Sequence, residues 1–169
     1  MKATEVLADG FGRIREVVHE VLDGLSEPEL NARPDPAANS VAWLVWHLTR
    51  VQDDHVADAA ALPQLWQDQG WDERFALPLP AGSTGYGHTA RQAGSVRVDG
   101  PDLLVGYFDA VHARTVDFVR GLTATDLERV VDDRWDPPVT LGVRLVSVLA
   151  DDLQHAGQAA YAKGLLRRG

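Results

Sequence analysis

The sequence predicts an all-α protein, a four-helix bundle with a long crossover between its second and third helices. Three observations carry this. Four stretches repeat apolar residues at the spacing of one helical face. Each is bounded by residues that start or stop helices. No series of segments alternates apolar and polar residues as strands would.

The first helix is expected from Thr4 to Gly24. Leu7, Phe11, Ile14, Val18, Val21 and Leu25 share one face of it. Thr4 offers a capping hydroxyl, Glu5 suits the positive end of the helix, and Gly24 suits its stop. The polar, proline-bearing segment SEPELNARPDPAAN reads as a connection. Ser40 or Asn39 then caps a second helix running to about Leu62, with positions 44, 48, 51 and 55 in one stripe. Gly100 and Pro101 open a third helix, because proline is well tolerated in a first turn. It carries Leu104, Phe108, Val111, Phe118 and Leu122. Pro137, Pro138 and Thr140 precede a fourth helix from Leu141 to about Leu166. Helices of this length span roughly 30–39 Å.

The stretch from Pro63 to Gly100 is too long for a structureless loop in a compact domain. It holds Trp66, Trp71, Phe75 and Tyr86, so a short helix and an ordered crossover over one end of the bundle are expected. The two tryptophans are read as packing residues, with an aromatic lid over a pocket as the alternative. Gly82, Gly85 and Gly87 read as a flexible turn; without a following Gly-Lys-Ser/Thr they form no phosphate loop.

Composition narrows the function. The 169 residues are read as one domain, 1–169, and surface scaling predicts an accessible area of roughly 8,000 Å². Hydrophobic content of 45% with 24% charged residues is that of a globular chain, not a disordered one. A net charge of −9 argues against binding a phosphate backbone, so no nucleic-acid partner is expected. Cysteine is absent, which removes disulfides, thiolate ligands and a protein-borne catalytic thiol. No apolar run has the length of a membrane span and the N-terminus lacks a signal core, so the expected setting is cytoplasmic, with no membrane partner. A spare apolar helix face would suit a homodimer.

The chemistry-bearing residues are His47 on the second helix and the pair Asp151 and His155 on the fourth. Residues four apart on a helix lie about 40° and ~6 Å apart, so Asp151 and His155 can reach one ion. His47 would be a third ligand. Two imidazoles and a carboxylate suit Zn²⁺, Ni²⁺, Fe²⁺ or Mn²⁺ better than Mg²⁺ or Ca²⁺. Three ligands leave a position open for chemistry. On a helical wheel His47 falls about −60° and Asp54 about −80° from Leu44, while His155 and Asp151 fall about −80° and −120° from Leu145. Each pair therefore flanks an apolar stripe, where two helices can form a cleft. Asp152 is a rival to Asp151. His55 is a rival to His47, although it points nearer the stripe centre, as a core histidine with a local hydrogen bond would. A di-iron centre would need Glu16–His19 and Asp109–His112 to face inward. They fall ~80–180° from their stripes and read as solvated faces.

The segment NSVAWLVWHLTRVQDDH, with its Trp-His-Leu, and the segment DDLQHAGQAAYAKGLL, with its His-x-Gly-Gln, together with the tryptophan-rich middle, resemble the DinB-like superfamily over nearly the whole chain. That superfamily includes mycothiol-dependent maleylpyruvate isomerases and bacillithiol S-transferases. The resemblance implies a four-helix bundle holding a divalent metal, zinc first, on His47, Asp151 and His155. Aspartate at 151 departs from the histidine or glutamate often found there. It further implies a small-molecule substrate and a low-molecular-weight thiol such as mycothiol, activated at the metal for S-transfer or isomerisation. By its spacing, one helical repeat from His47, Asp54 reads as a solvated aspartate or as a further contact to the metal's surroundings or to substrate, and Gln158, one turn beyond His155, as a ligand hydrogen-bonder or a surface residue. The rival readings are a metal-dependent hydrolase on the same ligands and a non-catalytic metal- or small-molecule-binding dimer.

Overall fold

The computed structural model describes residues 1–168. Its elements are α1 (Ala3–Leu22), α2 (Glu27–Asn31), α3 (Val41–Ala60), α4 (Leu65–Asp68), α5 (Trp71–Phe75), α6 (Ala90–Gly94), α7 (Pro101–Gly121) and α8 (Leu141–Leu166). A two-stranded antiparallel hairpin, β1 (Val130–Asp132) with β2 (Val139–Thr140), sits between α7 and α8. The four long helices are the four read from periodicity, and α8 has the expected bounds. The protein is all-α apart from that small hairpin, which the sequence reading did not include.

Local chemistry sets the ends. α1 starts one residue earlier than expected: the Glu5 carboxylate, not the Thr4 hydroxyl, serves the helix start, accepting from the Lys2 backbone N–H at 2.8 Å. Thr4 is instead buried. The connection after α1 contains the short α2, because Ser26 and Glu29 form a reciprocal capping box around Pro28. Ser40 caps α3 by accepting from the Trp43 N–H. Thr140 caps α8 in the same way, through Val143.

α1 and α3 each pack against both α7 and α8, so they occupy opposite corners of the bundle. Consecutive long helices are thus not all neighbours: the crossover joins the adjacent α3 and α7, while the connections through α2 and through the hairpin span the bundle diagonals. The core is a stripe from each helix: Phe11, Ile14 and Val18 of α1; Leu44 and Leu48 of α3; Leu104, Phe108 and Val111 of α7; Leu141, Leu145 and Val148 of α8. The total accessible area is 8943 Å², near the value that chain length predicts.

α3 is the exception to one-sided burial. Every residue from Val41 to Arg50 is buried, because the crossover lies over its outer face. The crossover holds three short helices where one was expected. Trp66 and Trp71 are buried and pack on Tyr107, so they are packing residues and not a lid. Trp71 also lies over Gly106, where a Cβ would come within 2.9 Å of its ring. Tyr86, grouped with these aromatics by sequence, is 92% exposed. No described helix is long and apolar enough to cross a membrane.

Candidate metal centre

α3 carries two polar clusters, and the deeper one builds the frame for the other. Asp53 is fully buried, and its carboxylate accepts from the Leu65 and Trp66 N–H groups, the Tyr107 hydroxyl and the Arg114 guanidinium, at 2.7–3.0 Å. Arg50, also fully buried, donates to Ser83 O, Gln64 Oε1 and the Tyr107 hydroxyl. Burial and the neighbouring Asp53 charge hold the Tyr107 phenol well above its usual range, with Arg50 opposing. These contacts lash the crossover to α3.

The consequence is felt one turn away. His47 donates from Nδ1 to the carbonyl of Thr84, next to Ser83, at 2.6 Å. Its ring is stacked on Trp43, with centroids 4.5 Å apart. A carbonyl can only accept, so the His47 proton sits on Nδ1 and Nε2 keeps its lone pair. Burial lowers the pKa of His47, which favours the neutral, ligating form. Gly85 makes the approach geometrically feasible. It has φ +96°, and a Cβ there would lie 2.5 Å from His47 Nδ1 and 3.1 Å from the Trp43 ring. The glycine read as part of a flexible turn is thus a packing element of the site. His88 completes this corner: it accepts at Nδ1 from the Trp43 indole, so its Nε2–H is left to donate to Ser83 Oγ. With its proton on Nε2 it cannot act as a base toward that serine.

α8 supplies the other two groups. His155 donates from Nδ1 to Gln158 Oε1 at 2.9 Å, and its Nε2 lies 3.5 Å from Asp151 Oδ1. The Asp151 contact raises the pKa of His155, and His155 in turn lowers that of Asp151. The rings of His47 and His155 meet edge-on with centroids 4.6 Å apart. One ligating atom from each of His47, Asp151 and His155 lies within 4.8 Å of the other two. Among the described residues this is the one histidine and carboxylate cluster that could hold a metal ion.

The donor set fits such an ion. Both imidazoles have Nδ1–H tied to an acceptor, which leaves Nε2 for the metal, the arrangement that outer hydrogen bonds impose on ligating histidines. Asp151 Oδ2 is shielded from solvent and has no hydrogen-bond partner, an acceptor without a donor. A divalent cation would satisfy all three groups at once.

The remaining sequence candidates fall as follows. Asp152 is not a rival: it is fully buried in the core stripe of α8, both oxygens lack partners, and burial pushes its pKa well above the carboxylate range. His55 is not a core residue with a local bond. It is half-buried, lines a cavity between α3 and α8, and its Nδ1 lies 3.2 Å from Arg144 Nη1 across that cavity. Asp54 does not touch the cluster; it is held by Gln64 Nε2 at 2.6 Å and forms a wall of the same cavity. Gln158 orients His155. The face read as a solvated alternative is a helix contact: Asp109 of α7 accepts from Arg15 and pairs with His19 of α1 at 2.8 Å. Glu16 is exposed, so no di-iron set forms.

Comparisons with known proteins identify the family and the fold. A model of the DinB superfamily matches residues 11–159. A crystal structure described as a conserved protein of locus from Enterococcus faecalis is similar at 36% identity and a TM-score of 0.94. The match covers 100% of this chain and 99% of that one. No functionally curated protein matches. With nearly the whole chain matched by the family model, the protein belongs to the DinB superfamily.

Proposed function

We propose that this protein is a divalent-metal enzyme that activates a low-molecular-weight thiol for transfer to, or isomerisation of, a small-molecule substrate. The observation that carries the reading is the pair of imidazoles whose Nδ1 protons are tied off at Thr84 and Gln158, leaving two Nε2 atoms and the Asp151 carboxylate to converge. Family membership supports it.

His47, Asp151 and His155 would hold the metal, and three protein ligands leave room for a further group. A bound metal supplies the positive charge that stabilises a thiolate, the reactive form of a thiol, at neutral pH. The chain's own residues do the rest. Thr84 and Gln158 fix the ring orientations. Trp43, stacked on His47, keeps solvent from that flank. His47 and Asp151 of the cluster line a cavity of about 520 Å³ that includes Val51, Tyr86 and Val148, large enough for a small substrate beside the thiol. With no cysteine in the chain, the sulfur must come from the co-substrate. The donor set of two imidazoles and one carboxylate suits Zn²⁺ first, with Ni²⁺, Fe²⁺ and Mn²⁺ as alternatives.

The test is a conjugation screen on metal-loaded protein, offering mycothiol, bacillithiol and glutathione with a generic electrophile. Thiol consumption that disappears in His47→Ala and His155→Ala is expected. Metal-dependent ester or amide cleavage without any thiol requirement would replace this reading with hydrolysis.

A further inference from the structure

The cavity that starts at the triad does not end there. It runs between α3 and α8 and joins a wider groove of about 1260 Å³ reaching the β1–β2 hairpin. Asp54, His55, Arg144 and Ser147 line both spaces and mark the junction. Arg144 and Asp151 are seven residues apart on α8, so they lie on the same face and about 10 Å apart along the helix axis. Among the described residues of the inner cavity Arg144 is the one permanent cation.

Its side chain is only 13% exposed, yet its carboxylate partners stand off. Asp58 pairs with its Nη1 and Asp132 accepts from its Nη2, each at the long distance of 3.5 Å. Asp132 is primarily committed elsewhere, in a two-pronged contact with Arg134 at 2.8 and 2.9 Å. Asp58 is 68% exposed and free to turn to water. The closest contact of Arg144 is the donation to His55 Nδ1. That bond leaves the His55 proton on Nε2, so the ring offers a second donor at the junction. A planar guanidinium that is desolvated, centrally placed and weakly engaged suits a ligand carboxylate, which its fork can bind through two parallel hydrogen bonds.

We infer that Arg144 is a specificity residue that anchors the carboxylate of a small organic acid, about two helical turns from the triad, with His55 as its positioning neighbour. This rests on the thiol–metal reading only for what occupies the other end of the cavity. Asp54, Asp58 and Asp132 around the junction favour a single carboxylate over a dense polyanion.

The test is calorimetric binding with probes of one chain length. On metal-free protein, hexanoate should bind about tenfold or more tighter than hexan-1-ol, the advantage expected of a charge-assisted contact. Arg144→Gln should abolish the difference and Arg144→Lys should keep part of it. Equal binding of hexanoate and hexan-1-ol by the unmutated protein would overturn the inference, without reliance on any variant folding. So would a preference that persists in folded Arg144→Gln. On zinc-loaded protein, 6-mercaptohexanoate should then exceed 6-mercaptohexan-1-ol by a similar factor. If it binds no tighter than hexanoate, the thiol–metal reading fails while Arg144 keeps its role. If the plain acid is preferred but the mercapto acid is not, the carboxylate belongs to a second molecule and not to the thiol.

Discussion

Two polar clusters nearly two turns apart on α3 are built on opposite principles. Around Asp53 the acceptors are filled: four donors converge on one carboxylate, and two guanidiniums surround it. Around His47 the outer hydrogen bonds are made and the inner valences are left open: two Nε2 atoms and a carboxylate converge, and Asp151 Oδ2 has no donor. The first cluster holds chain to chain. The second is arranged to hold something else. A buried polar group that has consumed its partners is architecture, while one whose partners stop short of the centre is a site.

Asp53→Ala should have the largest effect, because it removes the centre of the filled cluster. It leaves Arg50 and Arg114 without their shared counter-ion and should cost about 3–5 kcal/mol. Thermal unfolding should fall by roughly 6–20 °C. A variant that melts like the parent would show that the network is not structural.

Asp152 comes next, because it belongs to neither kind of cluster. It is buried with no partner, so Asp152→Leu should stabilise the fold by roughly 1–3 kcal/mol at neutral pH. The sign follows from its raised pKa. The unfolded chain loses this proton near pH 4 while the folded chain keeps it, so the penalty grows as pH rises above about 4. The advantage of the leucine variant in denaturant titrations should therefore shrink on acidification toward pH 4.

Gly85→Ala links the two clusters. A left-handed backbone position and a close approach to His47 should together cost about 1–3 kcal/mol and weaken metal binding. Gly87, at φ +70° with nothing near its Cβ position, is the control. Gly87→Ala should lose stability and keep metal affinity. Equal metal affinity in both variants would mean that Gly85 does not position His47.

The smallest expected effect on stability is that of Gln158→Ala. It frees the His155 Nδ1 proton and should lower metal affinity by about ten- to hundredfold with little change in melting.

The bundle was legible because amphipathic periodicity is local. The stripes of α1, α3, α7 and α8 lie within single stretches of sequence, and caps such as Ser40 and Thr140 sit beside them. The triad was partly legible for the same reason, since Asp151 and His155 are one turn apart. What sequence could not decide came from tertiary contact. Asp151 and Asp152 are adjacent, and only the packing of α8 shows which faces the cavity. The Thr84 carbonyl that sets the His47 tautomer is 37 residues away along the chain. Gly85 looked like any turn glycine because the ring it admits lies on another element. The hairpin Val130–Asp132 with Val139–Thr140 is too short for alternation to register.

The most direct test of the central claim is the divalent-metal content of protein purified without chelators, measured beside His155→Ala that has been shown to fold. Close to one metal per chain is expected in the parent, with a large loss in the variant. A parent that neither retains nor takes up a stoichiometric metal, or a folded His155→Ala that holds it equally well, would contradict that claim.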